Sequence, residues 1–194
     1  MKKKRVSIFT LGLMLLIILS ACGQKGIENP YNWTVQDFTY TNQAGEQTGL
    51  ADLKGKVWIA DFIFTSCEDV CLPMTFNMSK LQDKAKEEGI ENLQFVSFSV
   101  DPAVDTPETL KAYGDNFEAD YDNWSFLTGY GQQEIEDFAK ESFKTLVVKP
   151  ESDDQVIHGT EFYLINQEGK VLKSYTGLKD IPYEEIIKDI KSIQ

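Results

Sequence analysis

The sequence predicts an α/β fold with a central mixed sheet, flanking helices and an extra strand at the N-terminal end of the domain. Three observations predict it. Val57 to Phe64 is a near-continuous apolar run, the pattern of a strand covered on both faces. A segment of helical period follows, with Met74, Met78, Leu81 and Ala85 on one face. The alternation then repeats and closes with a hairpin and a helix, an order that argues for a partly parallel sheet.

Each element has its own signal. Val35 to Thr41 reads as the N-terminal strand, and Asn42-Gln43-Ala44-Gly45 as a turn. The first central strand hands over at Thr65-Ser66-Cys67 to a helix that takes shape from Pro73 and ends at Gly89. Leu93 to Val100 is a second buried strand. Thr106-Pro107-Glu108 reads as an N-cap followed by proline at the first helical position, opening a helix to about Phe117. Trp124 to Leu127 is a short strand, and Ile135, Phe138, Ala139 and Phe143 mark another amphipathic helix. Thr160 to Asn166 and Lys170 to Tyr175 form two strands around a Gln167-Glu168-Gly169 turn, and Tyr183 to Ile193 is the last helix.

The start of the chain reads differently. Lys2 to Arg5 are basic, and Val6 to Ala21 are an apolar stretch too short for a spanning helix and right for a signal peptide. It ends in Leu19-Ser20-Ala21-Cys22, which resembles a bacterial lipobox whose cysteine is lipidated. The expected organisation is a signal segment over 1–21, a lipid-anchored tether over 22–32 and one domain over 33–194. The expected location is the extracytoplasmic side of the cell membrane. The whole chain has net charge −12; without the four cations of 2–5, 15 Lys and Arg face 31 Asp and Glu, giving −16. Such a surface repels phosphate backbones and argues against nucleic-acid binding. A monomer is expected.

With Cys22 assigned to the anchor, Cys67 and Cys71 remain. A disulfide four residues apart closes too small a loop to stabilise the fold much, which points to chemistry. The pair lies where a central strand meets a helix, and such sheets gather their sites at strand C-terminal ends. A helix N-terminus favours thiolate over thiol, and two cysteines four apart on a helical turn put both sulfurs on one face. Glu68 and Asp69 favour a cation nearby. The two cysteines alone suit a redox dithiol as well as a metal site. His158 is the single histidine, two residues ahead of a strand. In a thioredoxin-like sheet the loop before that strand faces the cysteine turn. Thioredoxins carry a proline there; this chain has Gly159-Thr160. Two sulfurs and an imidazole suit copper or zinc rather than magnesium or calcium.

Three segments together resemble the SCO/SenC family: Thr65-Ser66-Cys67-Glu68-Asp69-Val70-Cys71-Leu72-Pro73, Ser99-Val100-Asp101-Pro102-Ala103-Val104-Asp105-Thr106-Pro107, and Val156-Ile157-His158. The resemblance runs from about Pro30 to Ile193. It implies a thioredoxin-like fold, a copper ion held by Cys67, Cys71 and His158, and work on the binuclear copper centre of cytochrome c oxidase subunit II. It leaves open an extracytoplasmic thiol–disulfide oxidoreductase, with Cys67 and Cys71 as the redox-active pair, that reduces the cysteines of that centre. A thiol peroxidase would share the fold but leave His158 without a role. Asp101 follows a buried strand, where groups supporting a site often sit. Asp105 reads as a cap or favourable charge for the helix from Thr106. Met74 and Met78 read as core, given their helical spacing.

Overall fold

The computed structural model describes residues 26–67 and 69–194. Cys22, the 1–21 signal segment, the first residues of the expected tether and Glu68 lie outside the described residues. Among the described residues no helix is long and apolar enough to cross a membrane.

The main sheet has eight strands: β1 (Trp33–Thr34), β2 (Thr39–Asn42), β3 (Gln47–Gly49), β4 (Val57–Ile63), β5 (Leu93–Ser99), β6 (Trp124–Thr128), β9 (Glu161–Ile165) and β10 (Lys170–Thr176). Their spatial order is β1-β10-β9-β4-β5-β6-β2-β3. β4, β5 and β6 run parallel, while β9 pairs antiparallel with β4 and β10. The two remaining strands, β7 (Val147–Val148) and β8 (Ile157–His158), form a separate antiparallel ribbon. The helices are α1 (Leu50–Leu53), α2 (Cys71–Glu87), α3 (Pro107–Asp115), α4 (Gln132–Phe138) and α5 (Tyr183–Ile193), with a π-helical turn at Ala139–Phe143. This is the thioredoxin-like α/β arrangement that the sequence predicts.

All seven residues of β4 are buried, as its apolar run requires. Its side chains alternate between two faces. Phe62 joins an aromatic layer with Phe98, Phe143 and Tyr163. Asp61, one residue earlier, therefore points to the opposite face, where its charge is felt by Cys71 and Tyr113. Met74 and Met78 are fully buried, in agreement with their reading as core.

Several boundaries differ from the expectation, each for a nonlocal reason. Of the strand expected over Val35 to Thr41 only Thr39 to Thr41 is strand, within β2, and the short β1 lies just before the expected span. β1 pairs with β10 and β2 with β6, on opposite sides of the sheet, so the chain must cross between them. Val35 and Phe38 are buried during that crossing, which gives the segment its strand-like apolar spacing. The helix expected from Pro73 already begins at Cys71, so Cys67 sits in the turn before it rather than on its first turn. The helix expected through Phe143 changes to π geometry at Ala139 and closes at Lys144, which is left-handed at φ 56°. Asp105 does not cap α3: the Thr106 hydroxyl accepts from the Thr109 N–H and fills that role. His158 lies in the ribbon strand β8 rather than in an open loop.

Candidate metal centre

The centre forms where β4 ends. Phe64 is buried, and the backbone turns so that the Cys67 N–H donates to the Phe64 carbonyl. Four residues later α2 starts, with the Met74 N–H donating to the carbonyl of its N-cap residue Val70. The Cys71 N–H, at the open end of this helix, donates to Cys67 Sγ at 3.4 Å. The first N–H groups of a helix lack internal partners and carry partial positive charge, so a sulfur placed there is favoured as an anion.

The ribbon brings in the third donor. His158 Nε2 lies 3.3 Å from Cys71 Sγ. His158 Nδ1 lies 2.8 Å from the Gly159 carbonyl oxygen, which only accepts, so Nδ1 is the protonated nitrogen. In the neutral ring Nε2 is then the nitrogen with the lone pair, and it faces Cys71 Sγ. Phe64 packs edge-on against the imidazole at 5.8 Å between centroids. Gly159 leaves room beside the ribbon: a Cβ there would force the Thr145 hydroxyl and a Glu161 carboxyl oxygen to shift. Cys67 Sγ, Cys71 Sγ and one His158 nitrogen all lie within 4.8 Å of one another. Metal–sulfur and metal–imidazole bonds of about 2.3 and 2.0 Å place adjacent donors about 3.5–4 Å apart, so this donor set fits a soft or borderline metal ion.

The two thiols are unbonded and unequal. The Cys71 thiol beside it holds Cys67 well below the usual thiol range, at about 3, and backbone N–H groups of Asp69 and Cys71 act the same way against partial burial. Cys71 is pushed far up by the neighbouring Cys67 and by its own burial. The pair thus shares one proton, with the negative charge on half-buried Cys67. A cleft of about 390 Å³ opens beside them, lined by Phe64, Cys67, Val70, Ile157 and His158.

Asp101 and Asp105 are both buried but neither joins the sulfurs and imidazole. Asp101 pairs with Lys149 Nζ at 2.7 Å. Asp105 accepts from the Thr65 hydroxyl at 2.6 Å, from the Thr65 N–H at 3.3 Å and from the Ser99 hydroxyl at 2.6 Å. Burial raises the Asp105 carboxyl, against the lowering effect of Ser99 and Thr65.

One further group was not singled out from the sequence. Asp61 is fully buried beneath the centre, and neither carboxyl oxygen has a hydrogen-bond partner among the described residues. Burial pushes its carboxyl up to about 7, with Ser97 and His158 pulling the other way. An acidic residue inside an otherwise apolar strand, six positions before Cys67, was the available signal.

A profile of the SCO1/SenC family matches residues 28–194. The chain belongs to the SCO1/SenC family. It is 52% identical to a SCO1 protein homologue of Bacillus subtilis over 94% of each chain. It is similar to a SCO1/SenC family lipoprotein from Bacillus anthracis, at 55% identity and TM-score 0.84, covering 87% of this chain and 99% of that one. It is also similar to BsSco, described as a member of a family of cytochrome c oxidase assembly proteins and as carrying a disulfide switch. Identity there is 53%, TM-score 0.80 and coverage 86% and 96%. A more distant family structure, Bradyrhizobium japonicum ScoI, has copper bound; it is 27% identical with TM-score 0.69 over 83% and 99% of the chains.

Proposed function

We propose that this chain is a copper-binding assembly factor that holds one copper ion through Cys67, Cys71 and His158 and serves the binuclear copper centre of cytochrome c oxidase subunit II. The observation that carries the proposal is the convergence of two sulfurs and an imidazole nitrogen from separate segments within 4.8 Å. A dithiol reductase needs the two sulfurs and has no use for the imidazole. Copper bound in a relative of the same family supports the choice of metal. The half-buried Cys67 and the adjoining cleft leave the centre reachable by a partner. Leu72 and Ile157, the chain neighbours of two ligands, are 51% and 56% exposed, and exposed apolar side chains grouped beside a site suit contact with a partner.

A signal segment over 1–21, lipidation at Cys22 and a tether over 22–32 would keep the domain of 33–194 at the outer face of the membrane. The lipoprotein relative in Bacillus anthracis supports this reading. Two acyl signals or more make a firm anchor where a single chain would be marginal.

The second reading, a thiol–disulfide oxidoreductase, rests on the inequality of the two thiols. An accessible low-pKa Cys67 beside a buried Cys71 suits nucleophilic attack followed by resolution. Both readings use the cysteines; His158 separates them. In cells, His158→Ala should impair an oxidase that carries the binuclear copper centre and spare quinol oxidases that lack it. Normal assembly of the copper-containing oxidase with His158→Ala would remove the copper reading and leave the oxidoreductase one.

A further inference from the structure

The ligands come from two pieces of chain, tied directly by the Cys71–His158 contact, the Phe64 ring against the imidazole and Gln155 Nε2 donating to the Ser66 carbonyl at 3.2 Å. Cys67 and Cys71 belong to the β4–α2 turn, and His158 to a ribbon of only two residue pairs. Its two strands are joined across an exposed acidic stretch, Glu151 to Asp154. A two-strand ribbon of this length is not stable alone, so its position relative to the cysteines depends on contacts outside the ribbon.

The segment after β5 reaches both pieces. Asp101 is 1% exposed, and its carboxylate binds Lys149 Nζ at 2.7 Å. Lys149 directly follows β7, the strand against which His158 is paired through Val147. The backbone N–H of Lys149 also donates to Glu136 Oε1 at 3.1 Å, which anchors the same residue to α4. Four residues after Asp101, Asp105 takes the hydroxyl and the N–H of Thr65, two residues before Cys67. The two carboxylates are tied to one another. The N–H groups of Val104 and Asp105 both donate to the Asp101 carbonyl. The Ser99 hydroxyl donates to Asp105 Oδ2 while accepting from the Asp101 N–H.

We infer that the turn from Ser99 to Asp105 is a brace that sets the distance between the two halves of the ligand set, with Lys149 as the positioning residue that holds the His158 ribbon. The inference rests on the copper reading for its consequence, but the brace itself is a property of the metal-free protein. Asp105 grips the cysteine half and Asp101, through Lys149, the histidine half. Removing Lys149 leaves the buried Asp101 charge unpaired and frees the ribbon, while the Asp105–Thr65 contacts remain.

The test uses the full-length protein with Lys149→Met, Lys149→Arg, Asp101→Asn and the Lys149→Met/Asp101→Asn double variant. Amide hydrogen exchange is measured without metal, and Cu(II) affinity by competition. Lys149→Met should speed exchange in Val147–Val148 and Ile157–His158 at least tenfold and leave α2 within about threefold. It should weaken Cu(II) binding at least tenfold, with a changed thiolate-to-copper absorption. Lys149→Arg, which keeps the charge, should restore most of both. The double variant should be no worse than either single change, as residues acting through one contact are not additive. Unchanged ribbon exchange in Lys149→Met, equal acceleration throughout the protein, or strict additivity would each overturn the brace. A wild type that takes up no copper would instead overturn the proposed function, with the exchange data still judging the brace.

Discussion

Cys67 and Cys71 are the same residue type, yet the fold gives them opposite character. Cys67 is half-buried at the open end of α2, and Cys71 is fully covered. With its pKa near 3, Cys67 is a thiolate throughout the ordinary pH range, whereas Cys71 keeps its proton. Iodoacetamide at pH 6 should therefore label Cys67 at least tenfold faster than Cys71, read by mass spectrometry of the peptide. Equal rates would contradict the assigned asymmetry. Asp61 gives a second residue-level prediction. Its folded carboxyl is pushed up to about 7 from an ordinary 3.8. Between those values the folded protein keeps a proton that the unfolded chain has released, so stability falls as pH rises from about 4 to 7 and is flat above. At about 1.4 kcal/mol per pKa unit, the Asp61 contribution is on the order of 4 kcal/mol. Urea unfolding of Asp61→Asn should lose this slope relative to the wild type; parallel profiles would contradict it. The sequence made Cys67, Cys71 and His158 legible because their donor atoms name their chemistry and their segments resemble a family. It did not disclose Asp61 or Lys149. One acts through strand register beneath the site and the other through an ion pair to Asp101, 48 positions away.

At the scale of elements, the legible parts were those with a period. β4 and β5 are apolar runs, α2 has a spaced apolar face, and α3 has Thr106 and Pro107 at its start. The ribbon of β7 and β8 was not legible, because two residues per strand show no period. Its existence is set by pairing between its strands and by packing of β7 against α4. Gly159 marks its exit, where a side chain would meet Thr145 and Glu161. Gly159→Ala should displace the ribbon and weaken Cu(II) binding about tenfold or more. Global stability should fall by no more than about 1–3 kcal/mol, the usual range for a single substitution. Wild-type copper affinity in Gly159→Ala would show that the ribbon tolerates the shift. The crossing at Val35 to Phe38 misled the strand assignment for the converse reason: buried spacing resembles a strand wherever a chain packs against a core. The Phe38 ring packs on Phe98 and Phe138, so its burial comes from tertiary contact and not from a ladder.

At the scale of the whole molecule, a mixed sheet carries a donor set at one end of β4, and a lipid anchor at Cys22 is proposed to hold it at the membrane. Fatty-acid labelling in cells should mark the wild type and not Cys22→Ser; labelling that survives the substitution would remove the anchor. The acidic surface, −16 for a chain starting at Cys22, favours cationic partners and metal ions over nucleic acid. The central claim is that His158 completes a copper site built on Cys67 and Cys71. Anaerobic Cu(II) titration of the reduced protein beside His158→Ala tests it most directly. The wild type should take up about one Cu(II) per chain with intense thiolate-to-copper absorption. His158→Ala should bind at least a hundredfold more weakly, a loss of about 2.7 kcal/mol, while the Cys67–Cys71 disulfide potential moves much less. Equal affinity and equal absorption in the two proteins would contradict the account.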